Sequence, residues 1–282
     1  RVMGGTVSSW LIDFNGLYTP LSTHFDAARS HRASVEARLE SVLGVHRMFE
    51  IGSLRQGTGI WQYSDADYLA SLKGIRPTSS TTMLNKVRDA LVGRFPNTTV
   101  SVRSPAVVCR FSDCELEVVP GFLSDTINGY GYWIADPTST GSWMKSYPEA
   151  HNDYVNTVNK KFNGGVKTLA RQLKVWKYKR NVPVSSCYLE MRAAKYMDGQ
   201  DSYIPIFDLY LALSNIHSAG LAAMNDPSGL GSRFTACSSD ATKADAASKL
   251  STAVSRASKA LDYYKADDHA NSIEQLKLLF DR

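Results

Sequence analysis

Residues 52–72 of this chain read GSLRQGTGIWQYSDADYLASL, and this stretch decides how the rest of the sequence is interpreted. Its second part, from Ser64 to Leu72, has the pattern of a strand, in which alternate side chains point to the same side. Asp65 and Asp67 are therefore predicted to face one way, and two adjacent carboxylates repel each other unless a cation lies between them. Because Mg²⁺ binds hard oxygen ligands, usually one or two carboxylates with water and phosphate oxygens, the pair predicts a magnesium site.

The turn before the acid pair is the second element of the pattern. Gly52 and Ser53 begin it, and backbone N–H groups at the start of a helix, together with a serine hydroxyl, form a cradle for an anion. A lone Asp-X-Asp is more often a solvated strand edge than a metal site. A phosphate cradle a short distance before a metal-binding pair is, however, the arrangement that nucleotidyl transfer requires.

A third carboxylate is needed to hold two metal ions about 4 Å apart for in-line displacement at phosphorus. The run Cys114–Val119 reads as a strand and places Glu115 and Glu117 on one face. If this strand neighbours the one that holds Asp65, the carboxylates converge. The alternative is that both glutamates form the wet face of an amphipathic strand.

A basic segment lies further along the chain. Its apolar positions, which include Leu173 and Trp176, recur at helical spacing. Most basic helices present a solvated face, but this many uncompensated positive charges would also attract polyphosphate or nucleic acid. Between Asn159 and Arg180 there are eight basic residues and no acid, namely Lys160, Lys161, Lys167, Arg171, Lys174, Lys177, Lys179 and Arg180.

Composition sets the outer limits. The chain has 282 residues with 43% hydrophobic and 21% charged residues, which is typical of a globular protein of one large or two modest domains. No stretch approaches the roughly 18 apolar residues of a membrane span, and residues 1–5 lack the apolar run of a signal peptide.

The four cysteines form no CxxC pair, which favours a reducing cytoplasm over a disulfide framework and predicts no zinc site. The net charge of +5 permits anionic ligands without itself indicating nucleic acid.

The order of the elements predicts an α+β fold, with a mixed sheet followed by a helical part. The first half has a long helix over Asp26–Glu50, a helix over Thr81–Phe95, strands at Thr98–Val102 and Ala106–Phe111, and a stop at Pro120-Gly121. Residues 129–148 are expected to be an irregular loop. Helices are expected near 156–180, 186–198, 204–223, 240–265 and 270–280. The predicted domains are 1–154, a catalytic core, and 155–282, a helical domain that completes the nucleotide pocket.

The string at residues 52–72 resembles the GS-x-GT-x-SDxD signature of DNA-polymerase-β-like nucleotidyltransferases. More narrowly, the chain is similar to the bacterial cGAS/DncV-like nucleotidyltransferases (CD-NTases), whose catalytic module is called SMODS and which are distant relatives of animal cyclic GMP-AMP synthase and oligoadenylate synthase. In this family the third acid lies three residues before a proline, which here selects Glu117 rather than Glu115. Glutamate stands there in place of the usual aspartate.

The resemblance also implies ligands for the donor triphosphate. The segment Leu173–Trp176 matches the family's L-K-x-W helix, so Lys174 is expected to contact the triphosphate. Residues 185–190, SSCYLE, resemble a motif in which the second serine, here Ser186, meets phosphate as well. These two residues join Gly52 and Ser53 as predicted nucleotide ligands.

Two smaller expectations concern the base and a histidine. Cys187 occupies the position where the family often has a base-stacking aromatic, which leaves that role to Tyr188 or to an aromatic side chain of residues 130–147. Most of those aromatics are expected to serve packing. His151 is expected to make a structural hydrogen bond rather than to act in catalysis.

The resemblance implies an enzyme that uses two Mg²⁺ ions, with Mn²⁺ as a substitute, to join nucleoside triphosphates into a cyclic di- or trinucleotide second messenger. Substrates are ATP and/or GTP, UTP and CTP. Bacterial antiphage (CBASS) signalling is the implied context, with a downstream effector reached by the diffusible product. A monomer without obligatory DNA is expected. The alternatives are a linear product, modification of RNA or protein, or a nucleotide-binding regulator without catalysis.

Overall fold

A computed structural model describes residues 5–125, 131–231 and 233–282 of the chain. The helices are α1 (Val7–Tyr18), α2 (Asp26–Leu43), α3 (Gly52–Gln56), α4 (Ser80–Arg94), α5 (Pro148–Lys161), α6 (Gly165–Lys179), α7 (Ser186–Asp198), α8 (Pro205–Ser218), α9 (Asp240–Lys265) and α10 (His269–Phe280). The strands are β1 (Val45–Glu50), β2 (Ala66–Leu72), β3 (Thr99–Arg103), β4 (Ala106–Arg110), β5 (Glu115–Asp125), β6 (Gly131–Ala135) and β7 (Trp143–Ser146). Within these residues no helix is both long and apolar enough to cross a bilayer.

The strands form one mixed sheet in the order β1-β2-β5-β4-β3, and β6 and β7 extend it from the later part of β5. β2 and β5 are parallel neighbours, and the other described pairs are antiparallel. Helices α2 and α4 cover one face, where Tyr68, Leu116 and Val118 are buried. Because alternate residues of a strand face opposite ways, the other face receives Asp67, Glu115 and Glu117. The predicted α+β fold, with a mixed sheet and a helical C-terminal part, is confirmed.

The helix predicted over Asp26–Glu50 is wrong beyond Leu43. Gly44 has φ of +74° and donates its N–H to the carbonyls of Leu39 and Glu40, which closes the helix end in the manner of a glycine cap. The chain then continues as β1, which pairs with β2. Helical spacing of apolar residues continued past the glycine, but strand pairing decides the conformation there.

Pro120 does not end its strand, in contrast to the prediction. β5 pairs with β4 only as far as Val118 and with β6 only from Phe122 onward, while β2 remains its neighbour on the other side. Pro120 therefore lies where the strand changes partner. A missing backbone N–H is tolerated at such a position because no ladder bond is lost on that side.

The irregular loop predicted over residues 129–148 is also wrong where it is described. β6 and β7 pair as a hairpin from Tyr132 with Ser146 to Ala135 with Trp143, and residues 129–130 lie outside the described part. The single helix predicted near 156–180 is instead two helices. Asn163 and Gly164, both with positive φ, separate α5 from α6.

A second apolar core holds the helical part together. It is built from α5 to α10 and also from α1, whose Trp10 and Phe14 are buried in it. The ring of Phe14 lies 4.3 Å from that of Phe280 in α10. The N-terminal helix thus packs with the C-terminal helices. The predicted domain boundary near residue 154 falls within α5 and stays a prediction.

Candidate active site

Parallel pairing of β2 with β5 brings the predicted acids together. Asp67 and Glu117 are register partners on the two neighbouring strands. Carboxylate oxygens of Asp65, Glu115 and Glu117 lie within 4.8 Å of one another. The structure thus brings Asp65 and Glu117 together with Glu115, and it places Asp67 beside Glu117 through the strand register.

Arg103, at the end of β3, lies among these carboxylates. Its Nη2 atom is 3.3 Å from Asp65 Oδ2 and 3.2 Å from Glu115 Oε1, and it also contacts Glu117. Nε of Arg110 is 2.9 Å from the second oxygen of Glu115. Neither arginine was predicted from the sequence, because only strand pairing shows that β3 and β4 reach the acid cluster.

The electrostatics of the cluster favour a cation. Burial, followed by repulsion from Asp65, raises the pKa of Asp67 to about 7. Burial and the charge of Glu115 also raise the pKa of Asp65 above its usual range. Partly buried carboxylates held close together are a fitting donor set for a hard divalent cation such as Mg²⁺, which would offset their mutual repulsion.

Gly52 explains why a glycine begins the predicted phosphate cradle. Its φ is +59°, and a Cβ atom there would lie 2.6 Å from Asp67 Oδ2. The N–H of Ile51 donates to the carbonyl of Asp67 at 2.9 Å. The start of α3, with Gly52 and Ser53, therefore lies directly beside the acid cluster, as the predicted cradle requires.

The basic stripe of α6 faces the loop that follows α3. Arg171 Nη1 donates to the carbonyl of Gly57 at 2.8 Å, and Lys174 Nζ donates to that of Thr58 at 2.9 Å. Lys174 also pairs with Glu190 Oε1 at 2.6 Å, and the Thr58 hydroxyl donates to the same oxygen at 2.7 Å. Lys174 is buried and supports the loop from behind, so its predicted contact with triphosphate stays a prediction.

Lys177 is the lysine that reaches the predicted phosphate-binding serine. Its Nζ lies 2.7 Å from the Ser186 hydroxyl, and the Tyr178 hydroxyl is 3.3 Å from the same oxygen. Burial, with the nearby charge of Lys174, lowers the pKa of Lys177 to about 8. The sequence contained this lysine within the basic run, but helical spacing alone did not single it out.

The aromatic predictions need one correction. Tyr188 is fully buried and its hydroxyl donates to the carbonyl of Ala222, so it has no free face for a base. Trp143 of the β6–β7 hairpin donates to the carbonyl of Pro77, which agrees with a packing role. Beside Ser186, the rings of Tyr63 and Tyr178 stack at 5.0 Å.

The hydrogen bond expected for His151 is present. Its Nε2 is 2.7 Å from Asp226 Oδ2, and the same carboxylate accepts from the backbone N–H groups of Ser228 and Gly231. Burial acts to raise the pKa of Asp226, but His151 and the hydrogen bonds from Ser228 lower it below its usual range. His151 thus fixes the turn between α8 and α9.

Comparison with known proteins gives a consistent result. The model of the Second Messenger Oligonucleotide or Dinucleotide Synthetase (SMODS) domain matches residues 6–159. A probable cyclic nucleotide synthase of Bacillus cereus is 28% identical over 142 residues, which are 48% of this chain and 43% of that protein. A cyclic AMP-AMP-AMP synthase of Acinetobacter is 27% identical over 212 residues, 68% of this chain and 60% of that one. The chain thus spans about half the length of these curated relatives.

The fold itself is shared with a solved structure. CdnC of Escherichia coli MS115-1, determined with ATP, superimposes with a TM-score of 0.73 at 17% identity and covers 96% of this chain and 97% of its own. The similarity extends over the sheet and the helical part alike. It confirms the predicted polymerase-β-like architecture.

Proposed function

Because the chain belongs to the Second Messenger Oligonucleotide or Dinucleotide Synthetase family, we propose that it is a divalent-metal-dependent nucleotidyltransferase that joins nucleoside triphosphates into a cyclic di- or trinucleotide. One observation carries the proposal. Asp67 and Glu117 are register partners on β2 and β5, Asp65 lies beside Glu117, and the start of α3 borders the group. This combination supplies metal ligands and an anion cradle at one point.

In this reaction the acceptor ribose oxygen forms a bond to the α-phosphorus of the donor, and the bond from that phosphorus to the β-phosphate bridging oxygen breaks. Asp65, Asp67 and Glu117 would hold two Mg²⁺ ions, which supply charge neutralisation at the attacking and leaving oxygens. Glu117 accepts the proton of the attacking hydroxyl. Pyrophosphate carries away the electron pair of the broken bond.

The remaining groups position the donor. Ser53 and the backbone at Gly52 would face its phosphates, and Lys177 with Ser186 would supply a charged and a neutral hydrogen-bond donor. Lys174 holds the Thr58 backbone in place. Positioning and electrostatic stabilisation, rather than covalent chemistry, are what such a site contributes to phosphoryl transfer.

ATP is the first substrate to test, because one relative is a cyclic AMP-AMP-AMP synthase. GTP, UTP and CTP remain candidates. In the cell, we propose that the product diffuses to a separate effector in antiphage defence. A cytoplasmic monomer that needs neither DNA nor zinc stays our prediction.

The test is release of pyrophosphate by the purified chain from single NTPs and from mixtures of the four, with Mg²⁺ and then Mn²⁺. Products are treated with phosphatase and identified by mass spectrometry, because a closed ring has no terminal phosphate to lose. A phosphatase-resistant product that Asp67→Asn and Glu117→Gln do not form supports the proposal. A product that phosphatase shortens indicates the linear alternative, and no pyrophosphate under any condition contradicts catalysis.

A further inference from the structure

We propose that Arg103 is the counter-ion of the metal-free acid cluster and that a divalent cation displaces it on binding. This inference rests on the proposed function, because it concerns the same carboxylates. It assigns to Arg103 the role of a positioning residue, which keeps the ligands gathered before the ions arrive and sets how tightly they bind.

The contacts of Arg103 carry the argument. A single nitrogen, Nη2, lies within 3.3 Å of Asp65 and 3.2 Å of Glu115 and also contacts Glu117. These are the same three carboxylates whose oxygens lie within 4.8 Å of one another. The guanidinium therefore occupies the position at which a bridging cation would neutralise them.

The balance of charge explains why Arg103 cannot remain in the acid cluster once a divalent ion binds there. Asp65, Asp67, Glu115 and Glu117 contribute four carboxylates to this end of the sheet, and Arg103 and Arg110 are the cations in contact with them among the described residues. A divalent ion bound by the cluster would share its space with the Arg103 guanidinium. Two cations so close repel strongly where water is partly excluded.

The position of Arg103 allows it to leave. It is the last residue of β3, which is an edge strand, and its side chain is 52% exposed. Swinging a half-exposed side chain into solvent needs no change in the sheet. Arg110, in contrast, contacts the cluster through the second oxygen of Glu115 and donates to the Ser101 hydroxyl on β3.

Two opposite consequences follow for Arg103→Ala. The metal-free protein loses stability because three carboxylates lose their shared counter-ion. Metal binds more tightly because no guanidinium has to be displaced. A residue that only supported the fold would produce the first effect without the second.

The experiment measures Mn²⁺ binding without nucleotide, from the electron paramagnetic resonance signal of free Mn²⁺. We expect the dissociation constant of Arg103→Ala to fall about fivefold or more below that of the wild type. Arg110→Ala is the matched control, since it removes one charge from the same cluster without vacating its centre, and its dissociation constant should change less than about twofold. Melting in EDTA should show Arg103→Ala below the wild type, and saturating Mn²⁺ should remove the difference.

Equal or weaker Mn²⁺ binding by Arg103→Ala overturns the inference, as does a change no larger than that of Arg110→Ala. If the alanine variant does not fold, Arg103→Gln, which keeps a side chain of similar reach, takes its place. The proposed function is judged separately. If the wild-type and variant proteins bind Mn²⁺ as expected but the wild type releases no pyrophosphate, the proposed function is contradicted. The displacement of Arg103 by the cation is then still supported.

Discussion

Lys174 and Glu190 form an ion pair of 2.6 Å whose side chains are 1% and 4% exposed, and the pair lies directly behind the loop that follows the phosphate cradle. The Thr58 backbone and hydroxyl complete its hydrogen bonds. A buried pair of this kind fixes the loop through two helices at once. It links the basic stripe of α6 to the loop that lies beside the acid cluster.

Breaking this pair should destabilise the whole protein. Glu190→Gln leaves the Lys174 ammonium buried without its counter-ion, which costs about 3–5 kcal/mol in other proteins. We expect a loss of that order in the free energy of unfolding, measured by urea titration. Lys161→Ala breaks the exposed pair with Asp198 and should cost less than about 1 kcal/mol. Equal losses in the two variants would contradict the role given to the buried pair.

Asp67 should make the metal-free protein less stable as pH rises. Its pKa is about 7 in the folded state against 3.8 in the unfolded chain, so the folded state binds the proton more tightly and loses that advantage between about pH 4 and pH 7. Asp67→Asn lacks this loss. In EDTA, the free energy of unfolding of the variant should rise relative to that of the wild type by on the order of 2 kcal/mol between pH 5.5 and pH 8. A constant difference across that range, measured by urea titration at each pH, would show that burial does not raise this pKa.

Lys177 should make triphosphate binding depend on pH. Its pKa is lowered to about 8, so the ammonium that attracts phosphate is lost as pH rises through that value. Binding of a non-hydrolysable ATP analogue, followed by calorimetry from pH 6.5 to 9.5, should weaken above pH 8. Lys177→Arg keeps its charge throughout and should flatten the profile. Lys160→Ala, at an exposed position on α5, serves as the control that leaves the profile unchanged.

Gly52→Ala should abolish activity through a local clash. The new methyl group would lie 2.6 Å from Asp67 Oδ2, so the carboxylate or the start of α3 must move. We expect about a hundredfold or greater loss of pyrophosphate release, because small displacements of catalytic groups have such effects. Gly74→Ala is matched to it, since Gly74 also has a positive φ, +83°, with nothing within 4 Å of its Cβ position. Gly74→Ala should lose about 1 kcal/mol of stability from its backbone conformation alone and keep its activity, whereas Gly52→Ala should lose more because of the clash.

The acid cluster was predictable because it depends on the alternation of side chains along a strand and on the pairing of β2 with β5. Asp65 and Asp67 are two positions apart, and the family pattern selected Glu117, so only the adjacency of β2 and β5 had to be found. Arg103 was not predictable in this way. Its place depends on the register of β3 with β4 and of β4 with β5, which no local pattern fixes.

Burial was the other property that the sequence left open. Eight basic residues in one run read as a single charged helix face, yet the run divides between α5, where Lys160 is exposed, and α6, where Lys174 is buried. The burial of Lys174 depends on the Glu190 carboxylate, which α7 brings to it. The end of α2 at Gly44 shows the same limit, since pairing of β1 with β2 overrides a helical pattern that continues past the glycine.

The packing of α1 with α6, α8 and α10 has a mechanical consequence. The polypeptide leaves the helical part after Tyr18, builds the sheet, and returns to the helical part through α5. The chain therefore crosses twice between the helical part and the sheet. Two covalent connections restrict the relative motion of the two parts more than a single connection would. Any relative motion of the two parts must therefore bend the chain at both crossings, after Tyr18 and before α5.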